Sequence, residues 1–114
     1  MNVRDIVGFK YLPNEKDIDE VLERLPDSDA EYARSCADYT SAKLGLPIAK
    51  AKGQPDTGTI AEKERVALQS DVYTQAKDKL VEAEFKRMKL MLERERLIMT
   101  VDVWRSINAN QRKS

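Results

Sequence analysis

Apolar residues in the second half of the chain fall on two opposed sides of one predicted helix. At about 100° per residue, Val72, Tyr73, Ala76, Leu80, Ala83, Leu90, Met91, Leu97, Ile98, Val101 and Trp104 gather on one broad face. Val81, Phe85, Met88, Leu92, Met99 and Val103 gather on roughly the opposite one. A helix with one solvent side needs a single apolar stripe. The second stripe therefore predicts burial on both sides, in a bundle or against another copy of the chain. Val81, Phe85, Met88, Leu92, Met99 and Val103 are the expected oligomer interface.

The first half reads as shorter elements. Residues 1–13 lack periodicity and are expected to form an extended arm ending at Pro13. Asn14 is the expected N-cap of a first short helix, in which Ile18, Val21, Leu22 and Leu25 follow i, i+3, i+4, i+7 spacing until Pro26 stops it. Asp27, Ser28 and Asp29 signal a second start. Tyr32, Ala33, Cys36, Ala37 and Tyr39 then run at helical spacing toward Leu44, with a break or kink at Gly45 and Pro47. The helix is expected to resume over residues 48–52. Gly53-Gln54-Pro55-Asp56-Thr57-Gly58 is the clearest loop, and Thr59-Ile60-Ala61-Glu62 matches a capping box that opens the long helix. No Pro or Gly follows Thr59, so one helix over residues 59–110 is predicted, about 75 Å long if continuous to Asn108. The expected architecture is all-α: two short N-terminal helices, a kinked middle helix and one long C-terminal helix, in an oligomeric bundle or ring. The 114 residues fit a single helical domain whose residues 14–52 form an acidic part.

Charge refines this picture. The 20 Lys and Arg balance 20 Asp and Glu, so overall charge favours neither nucleic acid nor membrane as a partner. The distribution is uneven, with a net of +4 from Lys79 onward and −4 before it. Arg87, Arg94 and Arg105 share the angular range of Tyr73, Leu80 and Ile98 and interrupt an apolar seam. They either snorkel to its edge and pair with Glu84, Glu95 or Asp102 of a neighbour, or join Lys86, Lys89 and Arg96 in a basic stripe that follows a phosphate backbone. Lys43, Lys50 and Lys52 form a second cationic cluster beside the loop. Tyr32, Tyr39, Tyr73, Phe85 and Trp104 sit at helix-stripe positions, which favours core packing over base stacking. The acids between Asn14 and Asp38 read as solvated faces and partners of helix N-termini, with an acidic docking surface for a basic protein as the minority reading.

Catalytic chemistry finds little footing. The chain contains no His, which removes the usual general base, the Cys-His and Ser-His pairs and the commonest zinc ligand. Cys36 is the only thiol, which excludes an internal disulfide and fits a reducing cytoplasm; it is expected to act as a small buried apolar residue. No metal site, cofactor or catalytic residue is expected, and no apolar run approaches the roughly 20 residues that span a bilayer. A soluble intracellular protein is the expectation.

The helix from Tyr39 to Lys52, the loop from Gly53 to Gly58, and the long helix with Asp71, Leu80 and Trp104 near its end together resemble the UvsY-type recombination mediators of tailed bacteriophages. The resemblance covers about residues 30–110, rests on order and spacing, and extends to the closing Val103-Trp104-Arg105-Ser106-Ile107-Asn108. It implies a ring-forming oligomer that binds single-stranded DNA, contacts the recombinase and the single-strand-binding protein, and performs no catalysis in the cytoplasm of a bacterial host. Lys43, Lys50 and Lys52 would match the family's DNA-contacting segment. The Gly45–Pro47 break departs from an uninterrupted helix in that family. Two other classes compete: a structural or adaptor helical oligomer without DNA, and an inhibitor that presents its acidic N-terminal helices to an enzyme.

Overall fold

The computed structural model describes residues 12–113, with side chains to residue 110. Most of the expected arm therefore lies outside the described residues; Leu12, Pro13 and Asn14 are non-helical. Three helices follow, α1 (Glu15–Lys52), α2 (Ile60–Gln69) and α3 (Asp71–Lys113), and no strand occurs among the described residues. The all-α expectation holds, and two of its boundaries need correction.

The first correction is at the prolines. The two short helices and the kinked middle helix are one element, α1, which runs through both Pro26 and Pro47. Each proline deletes a bond to the carbonyl four residues earlier, at Leu22 and Lys43. Both prolines are exposed, as are Leu22 and Lys43, so the freed carbonyls lie on the side of the helix open to water while the opposite side packs. Asn14 caps α1 as expected: its side chain accepts from the Asp17 N–H at 2.9 Å, and Asp17 accepts from the Asn14 N–H at 2.9 Å.

The second correction is at Ser70, which divides the predicted long helix into α2 and α3. Ser70 is extended, with φ −71° and ψ 150°. It closes α2 by donating its N–H to the Ala67 carbonyl at 3.1 Å. It opens α3 by accepting from the Tyr73 N–H through Oγ at 3.3 Å. One hydroxyl-bearing residue thus caps both helices, and Asp71 adds a negative charge to the first turn of α3. Gly53, at the end of α1, makes room for this corner. A Cβ there would lie 2.3 Å from Ser70 Oγ. The Thr59–Glu62 capping box forms as the sequence predicts, and Gly58 precedes it at φ +118°, where a side chain would be strained.

The chain divides into two compact units, one of Met1–Ala33 with Met88–Ser114, the other of Arg34–Arg87. In the first, Val21 and Leu97 are fully buried and Leu25 and Val101 pack against them. Each such side chain contributes about 1.5–3 kcal/mol by leaving water. Tyr32 meets Arg94 further along, so rising numbers on α1 face falling numbers on α3 and the pair is antiparallel. In the second unit Tyr39 meets Arg87, and Gly53 meets Ser70, again antiparallel.

The packed positions repeat alternately every three and four residues. In the first unit they are Ile18, Val21, Leu25, Ser28 and Tyr32 on α1 with Leu90, Arg94, Leu97, Val101 and Trp104 on α3; in the second they are Ser35, Tyr39, Ala42, Leu46 and Ala49 on α1 with Tyr73, Ala76, Leu80, Ala83 and Arg87 on α3. All are buried or half-buried. This is the 3.5-residue seam of a coiled coil. Most of the first predicted apolar face lies in that seam, whereas Val72 and Ile98 stand at its exposed margin.

Candidate assembly interface

Of the three arginines that interrupt the predicted apolar face, Arg87 and Arg94 are seam residues, whereas Arg105 is exposed. In the first unit the Arg94 guanidinium lies 5.2 Å from the centre of the Tyr32 ring and pairs with Asp29. In the second, the Arg87 guanidinium lies 4.7 Å from the centre of the Tyr39 ring. A cation over an aromatic face gains about 0.5–2 kcal/mol, more as water is excluded. The Nε atoms of Arg87 and Arg94 are buried without a hydrogen-bond acceptor, so the rings supply the electrostatic compensation there. Sequence spacing foreshadows both contacts: Tyr32 and Tyr39 are seven residues apart, and so are Arg87 and Arg94.

With the first face occupied, the second face of α3 points outward. Val81 is 61% exposed, Phe85 70% and Met99 58%, and Met88, Leu92 and Val103 are also exposed. All six predicted interface residues therefore lie on the surface of the chain. Dispersed single apolar residues are ordinary on protein surfaces; here Val81 and Phe85 of the second unit, and Met88, Leu92, Met99 and Val103 of the first, recur on one side of α3 at helical spacing, the kind of recurrence that marks an interaction site.

The basic residues divide into two groups. Lys43, Lys52, Lys86, Lys89, Arg96 and Arg105 are exposed, and none makes an ion pair among the described residues. Lys50, Arg87 and Arg94 are engaged within the chain. The Lys50 ammonium sits 2.8 Å from a Glu64 carboxylate oxygen, tying α1 to α2. That hydrogen bond and charge raise the Lys50 pKa and lower that of Glu64. In the second unit Lys86 and Lys79 line a groove of about 380 Å³ with Ser35, Ser41, Asp38 and Glu82, a mixture of both signs.

Cys36 is free, helical and half-buried, less enclosed than expected. It borders a surface that periodicity alone did not single out. Leu44 and Ile48, 68% and 58% exposed, rim a shallow depression of about 700 Å³ whose other walls are Cys36, Ala37, Thr40, Ser41 and Gly45. The available sequence signal was the absence of charge at Ala37, Thr40, Ser41, Leu44, Pro47, Ile48 and Ala51. Among the described residues no cluster of acids and Cys has the arrangement of a metal site, and no helix is long and apolar enough to cross a membrane. No protein-family model, curated protein or solved structure matches the chain.

Proposed function

We propose that this chain is a non-catalytic all-α assembly protein that associates with further copies of itself through the outward face of α3. The observation that carries this reading is the exposure of Val81, Phe85, Met88, Leu92, Met99 and Val103 after the seam is complete. Burying apolar surface is worth about 25 cal/mol per Å², and a second helix laid on this face gains that energy without disturbing the seam. Light scattering over a concentration series tests the reading. A mass above 13.0 kDa that rises with concentration is expected, and a constant 13.0 kDa refutes it.

A second reading builds on the first. The oligomer carries single-stranded DNA as a recombination accessory of the UvsY type, assisting recombinase loading beside a single-strand-binding protein. It is favoured by the six exposed bases Lys43, Lys52, Lys86, Lys89, Arg96 and Arg105, none of which is in an ion pair among the described residues. Arg87 and Arg94 contribute to such binding only by leaving their tyrosines, and Lys50 only by leaving Glu64. Labelled oligothymidine at about 50 and 200 mM salt distinguishes the readings, because phosphate neutralisation makes affinity fall steeply with salt. Tight, salt-sensitive binding that Lys43→Glu with Lys52→Glu weakens supports the DNA reading. A multimer indifferent to DNA at both concentrations leaves the structural one.

A further inference from the structure

We infer that the outer face of α3 in the first unit pairs with the same face of a second copy in parallel, the basic margin of each helix against the acidic margin of the other. The inference rests on the self-association proposed above and deepens it by naming the receiving surface and its direction.

Three lines of residues run side by side along this part of α3. Leu92 and Met99 form the midline, and Ser106 continues it. At about 100° per residue, Lys89 and Arg96 stand about 50–70° to one side of that midline, while Glu95 and Asp102 stand about 50–70° to the other. Met88 and Val103 widen the apolar stripe, one on each side. Each line repeats at the same heptad interval, so the three stay alongside one another.

These residues are open to a partner. Leu97 and Val101 lie on the opposite side of the helix and pack against Val21 of α1, which leaves the midline and both margins uncovered. Lys89, Glu95, Arg96 and Asp102 are exposed, and none is in an ion pair among the described residues. The other charges between Met88 and Arg105, at Glu93, Arg94 and Arg105 itself, stand nearer the seam.

Symmetry converts this layout into a direction. In a parallel pair the two-fold axis runs along the helices, so each basic margin lies against an acidic one, on both sides of the apolar midline. In an antiparallel pair the axis crosses the helices, and bases face bases while acids face acids. Like charges across an interface weaken it, and charges at such flanking positions decide how two helices align. Pairing in register also sets Leu92 and Met99 each against its own equivalent, where their apolar surface leaves water together.

The test has two arms in the full chain, with mass read by light scattering and helicity by circular dichroism. Ser106→Cys in a Cys36→Ala background puts a single thiol per chain at an exposed midline position. Oxidation by diamide is expected to capture the multimer as covalent pairs of twice 13.0 kDa. A multimer that yields no covalent pair is not parallel, which overturns the inference. In the second arm, at about 50 mM salt, Glu95→Lys with Asp102→Lys is expected to raise the Kd of self-association roughly tenfold. Lys89→Glu with Arg96→Glu is expected to do the same, and stands in for the first pair if that variant misfolds. All four changes together exchange the margins and are expected to return Kd to within about threefold of wild type. An unchanged Kd in either pair variant, or a quadruple variant as weak as the pairs, overturns the inference. A wild-type chain that is monomeric from the outset refutes self-association itself, a failure distinct from the others.

Discussion

At the scale of single residues, the chain places charge where a coiled-coil seam usually holds aliphatic side chains, and compensates it with aromatic rings. Arg94 over Tyr32 and Arg87 over Tyr39 each replace an apolar layer, while Val21 and Leu97 supply a fully dry one. Leu97→Ala removes the largest fully buried side chain and should lower unfolding free energy by about 2–5 kcal/mol in a denaturant titration. A loss under about 1 kcal/mol would mean the layer is not packed as described. The position of both arginines on the seam side was legible from angular spacing; their partners were not, because spacing gives a face and not the register of the strand of helix opposite. Lys50 and Glu64 permit a pH test. Glu64 is held below its ordinary pKa, so the pair's contribution is present above the ordinary carboxylate range and fades as pH falls through the lowered value. Lys50 is raised, so its share is lost only as pH climbs through that raised value. In Lys50→Met the Glu64 carboxyl should titrate at higher pH by NMR, and an unshifted titration would show the pair to be absent.

At the scale of elements, proline and serine reversed their expected roles. Pro26 and Pro47 read as stops, yet both lie on the solvent side of α1, where water serves the carbonyls they release. Ser70 passed unnoticed within an uninterrupted apolar rhythm, although Ser followed by Asp is a helix-start signal. Periodicity could not reveal the break because α2 ends and α3 begins without a glycine or proline between them. Ser70→Ala deletes one cap that serves two helices, so a loss of about 1–2 kcal/mol is expected by thermal or chemical unfolding. A stability unchanged within error would show that the corner is held by packing at Gly53 alone. The elements that were read correctly, the Asn14 and Thr59 caps and the 53–58 loop, are those with a local chemical signature independent of tertiary contacts.

At the scale of the whole molecule, the chain has more apolar helix face than its own seam consumes. The two-stripe pattern of α3 was fully legible in sequence, since each stripe needs only the helical repeat to define it. Which stripe turns inward depends on α1, whose tyrosines and small residues accept the face that carries the arginines and leave Val81, Phe85, Met88, Leu92, Met99 and Val103 outside. The exposed bases make nucleic-acid binding a property to be tested on the assembled form, because six separated charges on one copy are a weak phosphate tracker and the same six repeated around an oligomer are a strong one. Assembly therefore comes first in any test. The most direct measurement is sedimentation equilibrium of the wild-type chain beside Leu92→Asp with Met99→Asp, two exposed positions of the outer stripe. The wild-type chain is expected to sediment as a multimer and the double variant at 13.0 kDa with its helicity intact. A wild-type monomer, or a double variant whose mass equals that of the wild-type multimer, would contradict self-association through this stripe.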